Sequence, residues 1–221
     1  MNSVCYALTK LVSWLVFRLG FRLEVSGQAH VPKHGAFILA SNHVSFLDPP
    51  LVGVACPRPL CFTARADLFD KPVLGTFLRS VGALAVRRGE ADVMAIRAAV
   101  TYLRRGKPVA IFPEGGRQLS GTLGRAKAGV GLLADLAQVP IIPVVVHGTF
   151  QALPPHATRL HPAKIRVAFG QPIPYTSSSF SLPEHQGLEG RRGVRPTRRH
   201  REALAEAVTR EWQRLAAQLN R

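Results

Sequence analysis

Acidic side chains are scarce in this chain. Its 221 residues hold 13 Asp and Glu against 29 Lys and Arg, a formal charge of +16 with a pI near 11.3. A surface of that sign disfavours cationic partners and favours polyanions or an anionic bilayer. Cysteine is sparse too. Cys5, Cys56 and Cys61 are an odd number at spacings that fit no zinc or disulfide framework, which argues against a stapled secreted scaffold and points to a reducing compartment. A Cys61–His43 nucleophilic pair is formally open, beside the plainer reading of Cys61 as a small apolar residue in a buried strand. No G-x-S-x-G elbow is present, which weakens a serine-hydrolase reading. No metal-ligand cluster and no P-loop occurs either, so the sequence predicts no metal, no resident cofactor and no nucleotide-hydrolysing step. The arginine-rich stretch at 191–201 carries no aromatic residue to stack on bases, so charge alone supports nucleic-acid binding and none is expected.

Long hydrophobic runs are also missing. The apolar stretch at residues 4–17 is broken by Thr9, Lys10 and Ser13. As a helix it reaches roughly 21 Å, short of the ~30 Å hydrocarbon core. It is expected to lie in an anionic membrane surface, with Trp14, Phe17 and Phe21 among head groups and Lys10, Arg18 and Arg22 on lipid phosphates. A core helix and a cleaved signal peptide are the competing readings. No small-residue cleavage site follows the run, and residues 21–23 lead directly into a strand.

What is present is 47% hydrophobic residues in a length that suits one domain. Short apolar runs at 36–40, 60–64, 83–86, 109–112, 141–146 and 165–169 read as strands, several of them covered on both faces. Helical patterns fall between them at 51–55, 73–80, 91–105 and 129–137. The helix at 91–105 carries Val93, Ile96, Val100 and Leu103 on one face and stops at Gly106. This alternation predicts an α/β fold, a single domain with a mostly parallel central sheet flanked by helices. The organisation expected is a membrane-associated helix over 1–22, a catalytic domain over 23–175, a basic flexible loop over 176–201 and a C-terminal helix over 202–221. The last of these either docks on the domain or lies on the same membrane.

Three stretches carry chemistry, each just after a predicted strand. In Asn42-His43-Val44-Ser45-Phe46-Leu47-Asp48, the histidine and the carboxylate stand five positions apart. On a helix that spacing separates side chains by about 140° around the axis, and on a strand it sends them to opposite faces. Only a bend brings them together, and Asp48 before Pro49 supplies one by reading as an N-cap with proline at the first helical position. Asp48 would then hold one imidazole nitrogen and leave the other to accept a proton. In residues 82–89, a strand ends in Arg87 and Arg88, and an arginine at a strand's carboxyl end is placed to grip a phosphate by two parallel hydrogen bonds. In Phe112-Pro113-Glu114-Gly115-Gly116-Arg117, a carboxylate, two glycines and an arginine put an acceptor and an anion clamp beside a backbone that admits a close ligand.

Together these blocks resemble the glycerolipid acyltransferases of the 1-acylglycerol-3-phosphate acyltransferase family. Asn42-His43 with Asp48 resembles the first family block, and Gly82 to Arg88 keeps the spacing of the second. Residues 112–117 are similar to the third, F-P-E-G-T-R, with Gly116 in place of threonine and Gln118 in place of the usual serine, which removes a hydroxyl near the phosphate. Val139-Pro140-Ile141-Ile142-Pro143 resembles the fourth block and is expected to shape the acyl side of the pocket. The resemblance spans residues 42–144 and implies a glycerol-3-phosphate acyltransferase-like fold. It implies that His43 acts as general base oriented by Asp48, that Arg88 and Arg117 hold the phosphate of lysophosphatidic acid, and that Glu114, with Gly115 beside it, positions the glycerol. It further implies acyl-coenzyme A or acyl carrier protein as the acyl donor, direct attack without an acyl-enzyme, and a peripheral place on the cytoplasmic face of the cell membrane. The same machinery would serve glycerol 3-phosphate or another lyso-lipid as acceptor.

Overall fold

The computed structural model describes residues 3–86, 93–175 and 198–219. The Arg87–Arg88 pair and residues 176–197 of the expected basic loop lie outside these described residues. In chain order the elements are α1 (Ser3–Gly20), β1 (Glu24–Ser26), β2 (Ile38–Ser41), α2 (Asp48–Ala55), β3 (Cys61–Arg65), α3 (Pro72–Ser80), β4 (Leu84–Val86) and α4 (Val93–Arg104). They continue with β5 (Val109–Ile111), α5 (Gly129–Ala137), β6 (Ile141–His147), α6 (Thr149–Ala152), β7 (Arg166–Phe169) and α7 (Arg198–Leu219).

The strands form one seven-stranded sheet in the order β1-β7-β6-β2-β5-β3-β4. From β6 to β4 every pairing is parallel. A parallel neighbour requires a crossover, and helices supply it while covering both faces, so the central strands read as continuous apolar runs rather than alternating ones. All four residues of β2 are buried, as are Ile141 to Val146 of β6. One core lies under α1 and α2, with Phe37, Leu39, Leu51, Ile142 and Val144. The other lies under α4, α5 and α7, with Ile38, Leu103, Val109, Ile141 and Trp212. β7 runs antiparallel to β6 and parallel to β1.

Two expectations about the ends of the chain change. Phe17 and Phe21 do not face outward; both are buried in the core over α2. Lys10 likewise turns inward, its Nζ donating to the carbonyl of Cys56 at 2.6 Å, and Arg18 donates to Leu23 O at 2.9 Å. Helix α1 is therefore docked along one side, while Leu8, Leu11, Trp14, Leu15 and Leu19 on the other remain exposed. Among the described residues, no helix is long and apolar enough to cross a membrane. At the other end, helix α7 begins at Arg198, so the last residues of the expected loop are helical, and it docks on the domain. Trp212 is fully buried and its indole N–H donates to Ala40 O at 3.0 Å, tying the helix to β2 at the centre of the sheet.

Burial pushes the Cys56 thiol up to about 11 and the Cys61 thiol up to about 12. Both are protonated at neutral pH, and neither behaves as an activated nucleophile. At pH 8 the native protein should resist iodoacetamide at both positions, and unfolding in urea should make both react, as read by peptide mass mapping. Rapid labelling of either thiol in the native protein would contradict this burial.

Candidate active site

The strands β2 and β5 lie side by side with Ala40 opposite Ile111. Three residues further along each chain stand His43 and Glu114, so the register delivers the histidine and the acid to the same place at the carboxyl edge of the sheet. There Glu114 Oε2 accepts the backbone N–H of His43 at 3.2 Å, and the backbone N–H of Gln118 donates to His43 O at 2.8 Å. The His43 backbone is thus held through its N–H and its C=O by the loop that follows β5. The other Glu114 oxygen accepts Gly124 N–H at 3.2 Å. Glu114 is 4% exposed, and its pKa is raised by burial, against hydrogen bonds from Gly124, His43 and Gln118 that lower it.

The imidazole is fixed as firmly as its backbone. Its Nδ1 lies 2.9 Å from Asp48 Oδ2, and the Phe112 ring stacks on it at 4.3 Å between centroids and 28° between planes. An ionised carboxylate only accepts, so Nδ1 carries a hydrogen, and in the neutral ring that leaves the lone pair on Nε2. The same Asp48 oxygen accepts the backbone N–H groups of Val44 and Ser45, each at 2.7 Å. Asp48 is fully buried. It stands at the start of α2, as its spacing before Pro49 predicts, but its carboxylate does not cap that helix. Pro49 and Pro50 have no N–H to offer, so the carboxylate turns back to the loop before it. The helix N-terminus still favours negative charge at this position.

The remaining loop residues are tied across the sheet edge. The Asn42 side chain donates to Val146 O at 3.1 Å and accepts from Val146 N–H at 2.8 Å, extending the β2–β6 pairing by one residue. Ser45 Oγ donates to Leu153 O at 2.8 Å. Gly115 sits at φ +80, a backbone conformation that residues with a side chain rarely adopt, so this turn favours glycine. Arg117 lies with its guanidinium carbon 3.5 Å from the centroid of the Phe46 ring and donates from Nη1 to Pro155 O at 3.3 Å. The described structure thus brings His43, Asp48, Glu114, Gly115 and Arg117 to one edge, and Arg88 lies outside the described residues. Sequence reasoning missed Asn42 as a bridge, Gln118 as a backbone clamp, Phe112 under the imidazole and Phe46 over the arginine. The only signal for any of them is adjacency to the motif residues. In β6, Ile141, Ile142 and Val144 are buried in the two cores.

A histidine paired with a buried carboxylate and an arginine stacked on an aromatic ring thus share one edge of the sheet. The family model described as Acyltransferase matches residues 22–147. A 1-acyl-sn-glycerol-3-phosphate acyltransferase of Bacillus subtilis is 25% identical over 168 residues, covering 75% of this chain and 80% of the relative. A lyso-ornithine lipid O-acyltransferase of Pseudomonas aeruginosa is 34% identical over 141 residues, 60% of this chain and 52% of the relative. The chain spans less than half the length of two chloroplastic 1-acyl-sn-glycerol-3-phosphate acyltransferases it matches, from Brassica napus and Arabidopsis thaliana, at 45% and 44% of each. The fold is similar to that of the 1-acyl-sn-glycerophosphate acyltransferase PlsC from Thermotoga maritima, with a TM-score of 0.75 at 23% identity over 96% of this chain and 80% of that one. A family match that begins just before β1, ends with β6 and encloses all the residues gathered at the sheet edge leaves one assignment: the chain belongs to the acyltransferase family.

Proposed function

We propose that the protein transfers a fatty acyl group from a thioester, acyl-coenzyme A or acyl carrier protein, to the free hydroxyl of 1-acylglycerol 3-phosphate, giving phosphatidic acid. The observation that carries this reading is the His43–Asp48 pair at 2.9 Å, with the His43 N–H and C=O clamped from the third motif block. In the step proposed, His43 Nε2 takes the hydroxyl proton while the oxygen attacks the thioester carbonyl. A tetrahedral intermediate forms, its C–S bond breaks, and the departing thiolate recovers the proton from His43. Asp48 keeps the imidazole in the competent tautomer and offsets its charge once protonated. Arg117, with Arg88, grips the phosphate, and Gly115 lets the acceptor approach the backbone. Glu114 has its oxygens on His43, Gly124 and Gln118 and so supports a role in holding the histidine loop, which replaces direct contact with the glycerol in this reading. The step as written uses no metal and no resident cofactor.

The exposed apolar side of α1, together with the formal charge of +16, supports a peripheral position on the cytoplasmic face of the cell membrane, where the acceptor resides. A second acceptor is favoured by one finding, the 34% identity to the lyso-ornithine lipid enzyme. The loss of the threonine and serine hydroxyls at Gly116 and Gln118 bears on the same choice.

The discriminating assay offers detergent-solubilised protein lysophosphatidic acid and lyso-ornithine lipid side by side, with a long-chain acyl thioester. Phosphatidic acid as the dominant product supports the first reading, and acylated ornithine lipid as the dominant product supports the second. In either case His43→Ala should retain its fold and lose about 10²–10⁴-fold in kcat. Glu114→Gln places amide hydrogens against backbone donors. It should lower kcat by roughly 10-fold or more with little change in KM, since hydrogen bonds to a charged group are worth about 1.5–3 kcal/mol. A rise in KM alone would instead return Glu114 to the acceptor.

A further inference from the structure

Phe46 occupies a position that its own burial does not explain. It lies inside the loop from His43 to Asp48, yet its side chain is 59% exposed, while Val44, Ser45 and Asp48 around it are buried. The guanidinium of Arg117 lies over its ring, at 3.5 Å from carbon to centroid. Three segments meet at that guanidinium. The histidine loop supplies Phe46, the loop after β5 supplies Arg117 itself, and the segment after α6 supplies the Pro155 carbonyl that accepts from Nη1 at 3.3 Å. That last segment is also tied to the histidine loop, because Ser45 Oγ donates to Leu153 O at 2.8 Å.

We infer that Phe46 is the residue that positions Arg117 for the phosphate of the acceptor, and that it does so in register with His43. The argument is geometric. An arginine uses its face for an aromatic ring and its in-plane N–H groups for an oxyanion, so stacking fixes the plane of the fork without spending its donors on the ring. An unsupported arginine near the surface loses side-chain entropy when it binds an anion, and a pre-stacked one has already lost part of it. Because Phe46 stands three residues from His43, the plane it sets for the phosphate contact is referenced to the imidazole that accepts the hydroxyl proton. Phe46 acts through Arg117, so it is a positioning residue. The inference rests on the reading of Arg117 as the phosphate contact.

The contact is worth a factor of about 3 to 30 in binding, depending on how far substrate excludes water from it. The test compares wild type, Phe46→Leu, Phe46→Tyr and Arg117→Ala with lysophosphatidic acid and with monoacylglycerol, its analogue without phosphate, in mixed detergent micelles. Phe46→Leu should raise KM for lysophosphatidic acid by about 3- to 30-fold, change kcat by less than about threefold and lower the preference for the phosphorylated acceptor. Phe46→Tyr should restore all three. Equal losses with both acceptors, a loss in kcat alone, or a loss on vesicles that vanishes in micelles would each overturn the inference, the last by making Phe46 a membrane contact. Arg117→Ala separates the two layers of the argument. If it leaves the phosphate preference intact, the acceptor reading fails; if it abolishes the preference and Phe46→Leu does not alter it, only the role of Phe46 fails. Should wild type turn over neither acceptor, glycerol 3-phosphate titrated against the side-chain N–H resonance of Arg117 still decides. Weaker binding in Phe46→Leu supports the inference, and unchanged binding sinks it.

Discussion

The register between β2 and β5 is the constraint on which the site depends. Ala40 opposite Ile111 is an ordinary pairing in a buried parallel sheet, but it sends two loops out of the sheet at the same height. A slip of one residue would turn each strand's side chains to the other face and separate His43 from Glu114. Burial on both faces specifies that register strongly, because Ile38 and Ala40 fill one core and Leu39 the other. Trp212, reaching from α7 to the carbonyl of Ala40, reinforces the same strand from outside the family-matched region. The chemistry of the edge is therefore anchored by hydrophobic packing several residues below it.

On that base the two carboxylates of the edge hold the histidine loop. Asp48 Oδ2 accepts from the imidazole and from two backbone N–H groups, while Glu114 binds the peptide of His43 and that of Gly124. Both carboxylates are buried, and both accept backbone N–H groups. Arg117 lies against the Phe46 ring and donates to the Pro155 carbonyl.

Much of this was legible in the sequence. Apolar runs bounded by glycine and proline located the central strands, and the 3.6-residue stripe through Val93, Ile96, Val100 and Leu103 located α4. The bend between His43 and Asp48 followed from spacing alone. Other features were hidden for physical reasons. An apolar helix does not announce which side meets protein, so Phe17 and Phe21 read as lipid-facing although they pack on α2. Strand direction leaves no trace in composition, so the antiparallel β6–β7 pairing was not foreseen. Four residues are too few to show a helical period, and α6 went unnoticed. The contact between Phe46 and Arg117 joins residues far apart in sequence and appears only once the register has brought their loops together.

The central claim is that Asp48 fixes the tautomer in which His43 accepts a proton at Nε2. The most direct measurement is the 15N spectrum of histidine-labelled protein in the neutral-imidazole range, with His43 assigned by its loss in His43→Gln. The account predicts a protonated, pyrrole-type Nδ1 and a bare, pyridine-type Nε2 in wild type, with that preference lost in Asp48→Ala. A proton resident on Nε2 of the wild-type ring would contradict it, because the nitrogen meant to take the hydroxyl proton would already be occupied.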